Sequence, residues 1–148
     1  MNSIIIYQSL HHQNTEQVAN AMAETLGCEA VKVHELGERK ISDYDLVGFG
    51  SGIFYSKHHR SLIEFSEKLG QKQHGKAFVF STSGMTKLKS HDMLKKILVL
   101  KGYGVIDEFT CPGFDTWGPL KLIGGIKKNR PNDEDLEKAK AFVKKLLP

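Results

Sequence analysis

The sequence predicts an α/β fold: a parallel sheet covered by helices on both faces. Three observations point there. Apolar runs of strand length alternate with amphipathic stretches of helix length. Read in order they give β-α-β-β-α-β-α-β-α, the alternation that builds parallel sheets. Three strand ends are crowded with Gly, Ser, Thr and aromatic residues, at 9–15, 51–55 and 81–86. In open parallel sheets ligands gather beyond the carboxyl ends of the strands, so one site shared by the three loops is expected.

Each element has its own signal. The first strand is expected at residues 3–8, around Ile4, Ile5 and Ile6. Val18, Ala19, Met22 and Leu26 then recur at helical spacing until Gly27 stops them. Residues 29–34 alternate like a half-buried or edge strand, and residues 45–50 form the next apolar strand. Between these two, residues 37–44 hold no convincing helix. Leu62, Phe65, Ser66 and Leu69 mark a second helix, and residues 76–80 a fourth strand. Met93, Leu94, Ile97, Leu98 and Leu100 give the third helix its expected apolar side. A last strand is read at 104–111. The closing helix begins near Asn132 and buries Leu136, Ala139, Val143 and Leu146.

At 148 residues the chain fits a single domain, 1–148, large enough for its own core. Its 40% hydrophobic and 26% charged residues are those of a globular protein. The longest apolar runs are too short to cross a bilayer, and no secretory leader pattern opens the chain. Cys28 and Cys111 make neither a disulfide framework nor a metal motif. A cytoplasmic monomer without membrane insertion is therefore expected. The net charge of +4 raises nucleic-acid binding, but the basic residues are scattered and form no stripe with aromatics. The histidine pairs His11-His12 and His58-His59 are adjacent, not spaced to share one helical face, so no metal site is expected. His91, near a helix start, reads as a cap or surface residue.

The first loop sits directly on a helix N-terminus, where unsatisfied amides and the helix dipole favour an anion. Ser9, Asn14 and Thr15, with His11 or His12, can hold a phosphate without Lys or Arg. The same residues serve equally well as an N-cap beside solvated histidines. In the second loop Ser51, Gly52, Ile53, Phe54 and Tyr55 offer apolar cover for a flat ring. In the third, Thr82, Ser83, Gly84 and Met85 offer donors and a polarizable thioether. The ordinary alternative is that Phe54 and Met85 belong to the core. A planar aromatic molecule with a phosphate tail would use all three loops.

The stretch YQSLHHQNTEQVANAMAETLG resembles the phosphate loop of the flavodoxin family, and DYDLVGFGSGIFYSKHHRSLIEF resembles its second flavin loop. The spacing is similar to the branch that includes oxygen-independent protoporphyrinogen oxidase. The resemblance implies a three-layer α/β/α fold with a five-stranded sheet of order 2-1-3-4-5. It implies FMN as cofactor and electron transfer between redox partner proteins as function. Its phosphate-loop roles fall on Ser9, His11, His12, Gln13, Asn14 and Thr15. Its ring-flanking roles fall on Ser51, Gly52, Ile53, Phe54 and Tyr55, with Thr82, Ser83, Gly84 and Met85 at the other rim. Three departures accompany it. Gln13 stands where the family commonly has Gly, so the turn is expected to manage without positive φ. The usual aromatic of the third loop is missing, leaving Phe54, Tyr55, Met85 or Trp117 to stack. The charge is basic where flavodoxins are acidic.

Rival tenants of such a sheet fail on residues. No acidic pocket closes the first and third strands, and no Cys-x5-Arg loop is present. Gly48-Phe49-Gly50-Ser51-Gly52 imitates a dinucleotide fingerprint but ends a later strand and lacks its last glycine. The alternative function is a stand-alone FMN-dependent oxidoreductase acting on a quinone or protoporphyrinogen-like molecule. The long connection around Trp117 would then shape a substrate site. A flavin-free interaction domain is the third class. Lys127, Lys128 and Arg130 suit an acidic partner or a solvated turn.

Overall fold

The computed structural model describes residues 1–10, 13–85, 87–113 and 129–148. His11, His12, Thr86, Trp117, Lys127 and Lys128 lie outside the described residues.

Among the described residues five parallel strands form the sheet: β1 (Ser3–Gln8), β2 (Glu29–Lys32), β3 (Leu46–Phe54), β5 (Gly75–Ser83) and β6 (Tyr103–Pro112). A two-residue strand, β4 (Lys57–His58), pairs antiparallel with the end of β3. The order is β2-β1-β3-β5-β6. With the short β4 set aside, this is the expected 2-1-3-4-5. The helices are α1 (Asn14–Leu26), α2 (Arg60–Glu67), α3 (Asp92–Leu100) and α4 (Asp133–Lys144).

Alternation along the strands sends side chains to two cores. Ile4, Ile6, Val47, Phe49, Ala77 and Val79 meet Leu62 of α2 and Leu94 and Leu98 of α3. Ile5, Tyr7, Phe78 and Phe80 meet Val18, Met22, Ala139, Phe142 and Val143 of α1 and α4. Helices on both faces are thus packed by one period-2 pattern. Gly27 ends α1 in the left-handed region at φ 65°, as the sequence signal requires. Asn132 and Asp135 close a reciprocal capping box at the start of α4.

Several expectations need correction. The second strand stops at Lys32, and Val33–Glu35 and Ile41–Asp43 form 3-10 turns that bury Leu36 and Ile41. The crossover from β2 to β3 is therefore made without an α-helix. β3 and β5 run beyond residues 50 and 80, to Phe54 and Ser83, so much of the second and third loops is strand. On α3 only Leu94 and Leu98 are buried, while Met93, Val99 and Leu100 face outward. In α4, Phe142 joins the core and Leu136 is half-buried, as is Leu146 just beyond the helix end. On β6 a bulge inserts Ile106 between Val105, opposite Ala77, and Asp107, opposite Phe78.

Candidate functional site

β1, β3 and β5 are neighbours, so the three loops singled out in the sequence emerge side by side at one edge of the sheet. Each of the three carries an exposed large apolar side chain: Leu10 (46% exposed), Tyr55 (81%) and Met85 (70%). Phe54 is half-buried, with its ring edge-on to His59 at 5.3 Å between centroids. Neither Phe54 nor Met85 belongs to the core.

The first loop ends in a turn that the sequence disguised. Gln13 adopts φ 54° and ψ 31°, the left-handed conformation expected to require glycine. The turn thus has positive φ after all, at a steric cost of about 1 kcal/mol for a residue with a Cβ. From there the backbone enters α1, and the Ser9 hydroxyl accepts from the Glu16 amide at 3.2 Å. Ser9 keeps its own O–H proton for another acceptor. Asn14 lies against the end of β6: a Cβ on Gly113 would come within 2.7 Å of the Asn14 amide nitrogen.

The Thr15 and Thr82 hydroxyls share a buried hydrogen bond of 2.8 Å. It joins the start of α1 to the end of β5 across the intervening β3. One of the two hydroxyl protons is committed to this bond.

The second loop is a β-hairpin. Ile53 pairs with His58 and Phe54 with Lys57, leaving Tyr55 and Ser56 as a two-residue turn. Both have positive φ, 51° and 64°, as in the hairpin turn whose twist matches its strands. No Asn-Gly or Asp-Gly marks it, which is why it reads as irregular in the sequence. Gly50 and Ser51 are held in the sheet between β1 and β5. The Ser51 hydroxyl donates to the Gly52 carbonyl (2.6 Å) and accepts from the His59 amide (2.8 Å). Ser83 donates to the Met85 carbonyl at 2.6 Å. These two hydroxyls shape their own loops.

The alternate glycines have a packing cause. A Cβ on Gly48 would fall 2.4 Å from the Phe78 ring, and one on Gly50 would fall 2.3 Å from the Phe80 ring. The apparent dinucleotide fingerprint is thus a row of strand positions roofed by two phenylalanines.

Beneath the hairpin lies a polar cluster that sequence reasoning missed. His58 is buried and donates from Nε2 to the Phe80 carbonyl at 3.1 Å, which fixes its tautomer and anchors β4 to β5. Its ring lies 4.9 Å from that of His91, which is completely buried and not the cap or surface residue expected. His91 Nε2 bonds Ser81 Oγ at 2.7 Å. His91 Nδ1 lies 3.3 Å from Glu108 Oε1, yet neither atom has a hydrogen-bond partner. Burial lowers both imidazoles, His58 to about 3, with the neighbouring His91 adding to the effect. His91 falls to about 4, with Lys95 as the second cause. With His91 neutral, the contact with Glu108 is not an ion pair. Glu108 pairs instead with Lys95 Nζ at 2.5 Å. Ser81, His91 and Glu108 imitate a nucleophile, base and orienting acid, but Ser81 is buried beyond substrate reach. The only hints in the sequence were a serine in a strand and a histidine leading into a helix.

His59 caps α2, its Nδ1 accepting from the Ser61 amide at 3.0 Å; burial lowers its pKa. Among the described residues no His, Cys, Asp or Glu cluster could hold a metal ion. Nor is any helix among them long and apolar enough to cross a membrane.

Comparison with known proteins agrees with this architecture. An uncharacterized protein of Methanocaldococcus jannaschii is 44% identical over 149 residues, covering 99% of both chains. A short-chain flavodoxin associated with a non-canonical PDU bacterial microcompartment superposes with a TM-score of 0.69 at 13% identity, covering 97% of this chain and 95% of its own. A Fusobacterium nucleatum flavodoxin bound to flavin mononucleotide gives 0.65 at 14% identity over the full length of both. At those identities the two structures show the shared fold. The model of the flavodoxin domain matches residues 4–111, and the chain belongs to that family.

Proposed function

We propose that the protein binds FMN noncovalently at the edge formed by β1, β3 and β5 and carries electrons between redox partner proteins. The observation that carries this reading is the arrangement of the three loops. A helix N-terminus rich in neutral donors adjoins two loops that expose Tyr55 and Met85 to solvent. This donor set fits a phosphate ester joined to a flat apolar ring, and the FMN bound to the Fusobacterium nucleatum flavodoxin supports the assignment.

Ser9, Gln13, Asn14 and Thr15, with His11 and His12, would hold the phosphate. The left-handed Gln13 turns the chain so that the first amides of α1 face the ester, where the helix dipole favours its charge. Gly52, Ile53, Phe54 and Tyr55 would flank one side of the ring. Thr82, Gly84 and Met85 would flank the other, while Ser51 and Ser83 hold the two loops in shape. When bound, the flavin accepts and gives up the electrons; the chain orients it and keeps water from its faces. The enzyme reading rests on the segment around Trp117, outside the described residues. Turnover of a quinone or protoporphyrinogen without a protein partner would favour it.

The deciding experiment is titration of flavin-free protein with FMN and with riboflavin, followed by flavin fluorescence. FMN is expected to bind at least ~100-fold more tightly, because a buried charged group with several donors adds ~3 kcal/mol. No saturable uptake, or equal affinity for riboflavin, would refute the phosphate site.

A further inference from the structure

The positive surplus of this chain falls within one stretch of its sequence. Residues 87–101 hold Lys87, Lys89, Lys95, Lys96 and Lys101 against the single carboxylate of Asp92. That surplus equals the whole net charge of +4; all other residues together carry sixteen basic and sixteen acidic side chains. Lys95 is engaged with Glu108 and Asp92. The other four lysines make no ion pair among the described residues.

Exposed apolar surface gathers on the same stretch and its lead-in. Met85, Leu88, Met93, Val99 and Leu100 are half of the ten large apolar side chains exposed among the described residues. Val99 is 60% exposed and Leu100 75%. On the outer side of α3, Asp92, Lys95, Lys96, Val99 and Leu100 line a shallow cleft of about 490 Å³. Solvent-facing helix positions ordinarily carry polar residues, and contiguous apolar surface rimmed by charge marks a place where another molecule sits.

The sign of the rim narrows the occupant. Two copies of this chain meeting face to face would set lysines against lysines, which disfavours a symmetric dimer. Carboxylates on a partner would find unpaired lysines around an apolar centre. The stretch begins at Met85, the tip of the third loop at the proposed flavin edge, and α3 leads from there towards the opposite edge of the sheet, where the Leu100 carbonyl accepts from Gln71 Nε2 at 3.1 Å. We propose that Met85 and residues 87–101 form the docking surface for an acidic electron-transfer protein, its carboxylates meeting Lys89 and Lys96 and its apolar centre meeting Val99 and Leu100. This rests on the reading of the chain as an FMN electron carrier.

The test is titration of 15N-labelled, FMN-saturated protein with an oxidised acidic [2Fe–2S] ferredoxin as probe, at low and high salt. Amide shifts or broadening are expected at Met85 and 87–101, with affinity falling ~10-fold or more between ~0.02 and ~0.3 M salt. The double variant Lys89→Glu/Lys96→Glu should weaken binding ~10-fold or more, and Leu100→Ser ~3-fold or more. Each variant's own spectrum reports that it is folded. A basic cytochrome c should leave these amides unmoved. Ferredoxin effects centred elsewhere, affinity indifferent to salt and to the lysine variant, or a homodimer abolished by Leu100→Ser would each overturn the proposal. Repeating the titration without FMN separates the two readings. Effects at Met85 and 87–101 in a chain that takes up no FMN would uphold the surface and refute the cofactor, whereas FMN uptake with no ferredoxin effect would refute the surface alone.

Discussion

At the carboxyl edge of the sheet the two faces of β3 and β5 are packed by opposite means. Toward α1 and α4, Gly48 and Gly50 lie under the rings of Phe78 and Phe80, an apolar arrangement with no room for a methyl group. Toward α2 and α3, Ser51 and Ser81 follow Phe49 and Val79, Ser51 accepting from the His59 backbone amide and Ser81 bonding the His91 ring. One face is held by shape, the other by directed bonds and by the neutrality of two buried rings. The shape-held face should answer to volume and ignore pH; the bonded face should do the reverse.

The largest effect should come from crowding the first face. Gly50→Ala places a Cβ against the Phe80 ring, which is buried and has nowhere to retreat. A loss of about 3 kcal/mol is expected in urea unfolding, with the loss unchanged between pH 5 and 7. Pairing it with Phe80→Leu should recover part of that loss; no recovery would mean that the strain lies in the backbone instead.

The second face should titrate. His58 and His91 are held well below the ordinary imidazole value, so the unfolded chain binds protons that the folded chain refuses. Their contribution is whole above pH ~6.5 and is lost as pH falls from there, towards about 4 for His91 and about 3 for His58. The expected loss is on the order of 1 kcal/mol per pH unit for each ring. Unfolding midpoints measured from pH 7 to 4.5 check this, and His58→Phe should flatten the dependence. A profile as steep in that variant as in the parent would assign the effect to other groups.

The smallest effect tests the turn that joins both faces to the first loop. Gln13→Gly removes the left-handed strain but loosens the unfolded chain, for a net gain of up to about 1 kcal/mol. Gln13→Ala should gain nothing. Equal stabilities for the Gly and Ala variants would show that the turn relaxes when its side chain is cut back.

The contrast between the faces also explains what the sequence disclosed. Strands, helices and their order were legible because Ile4, Ile5, Ile6, Val47, Phe49, Phe78 and Val79 keep a strict spacing, and Gly27 and Asn132 punctuate it. The three loops were legible because their composition departs from that spacing. The hairpin at Tyr55 and Ser56 and the turn at Gln13 were not, since each places a residue with a side chain where glycine is the usual sign. The buried histidines were hidden for another reason. His58 and His91 are 33 positions apart, and only the pairing of β3, β4 and β5 brings them together. The exposed side of α3 was misread because apolar residues at helical spacing signify burial unless something outside the chain is meant to cover them.

The bulge at Ile106 carries a consequence of its own. Among the described residues β6 is an outer strand of ten residues, and without the bulge it would offer a straight row of amides and carbonyls to any passing chain. The extra residue breaks the repeat, and the exposed Asp107 follows it with negative charge. A neighbouring strand is thereby denied the regular register that would let it extend the sheet.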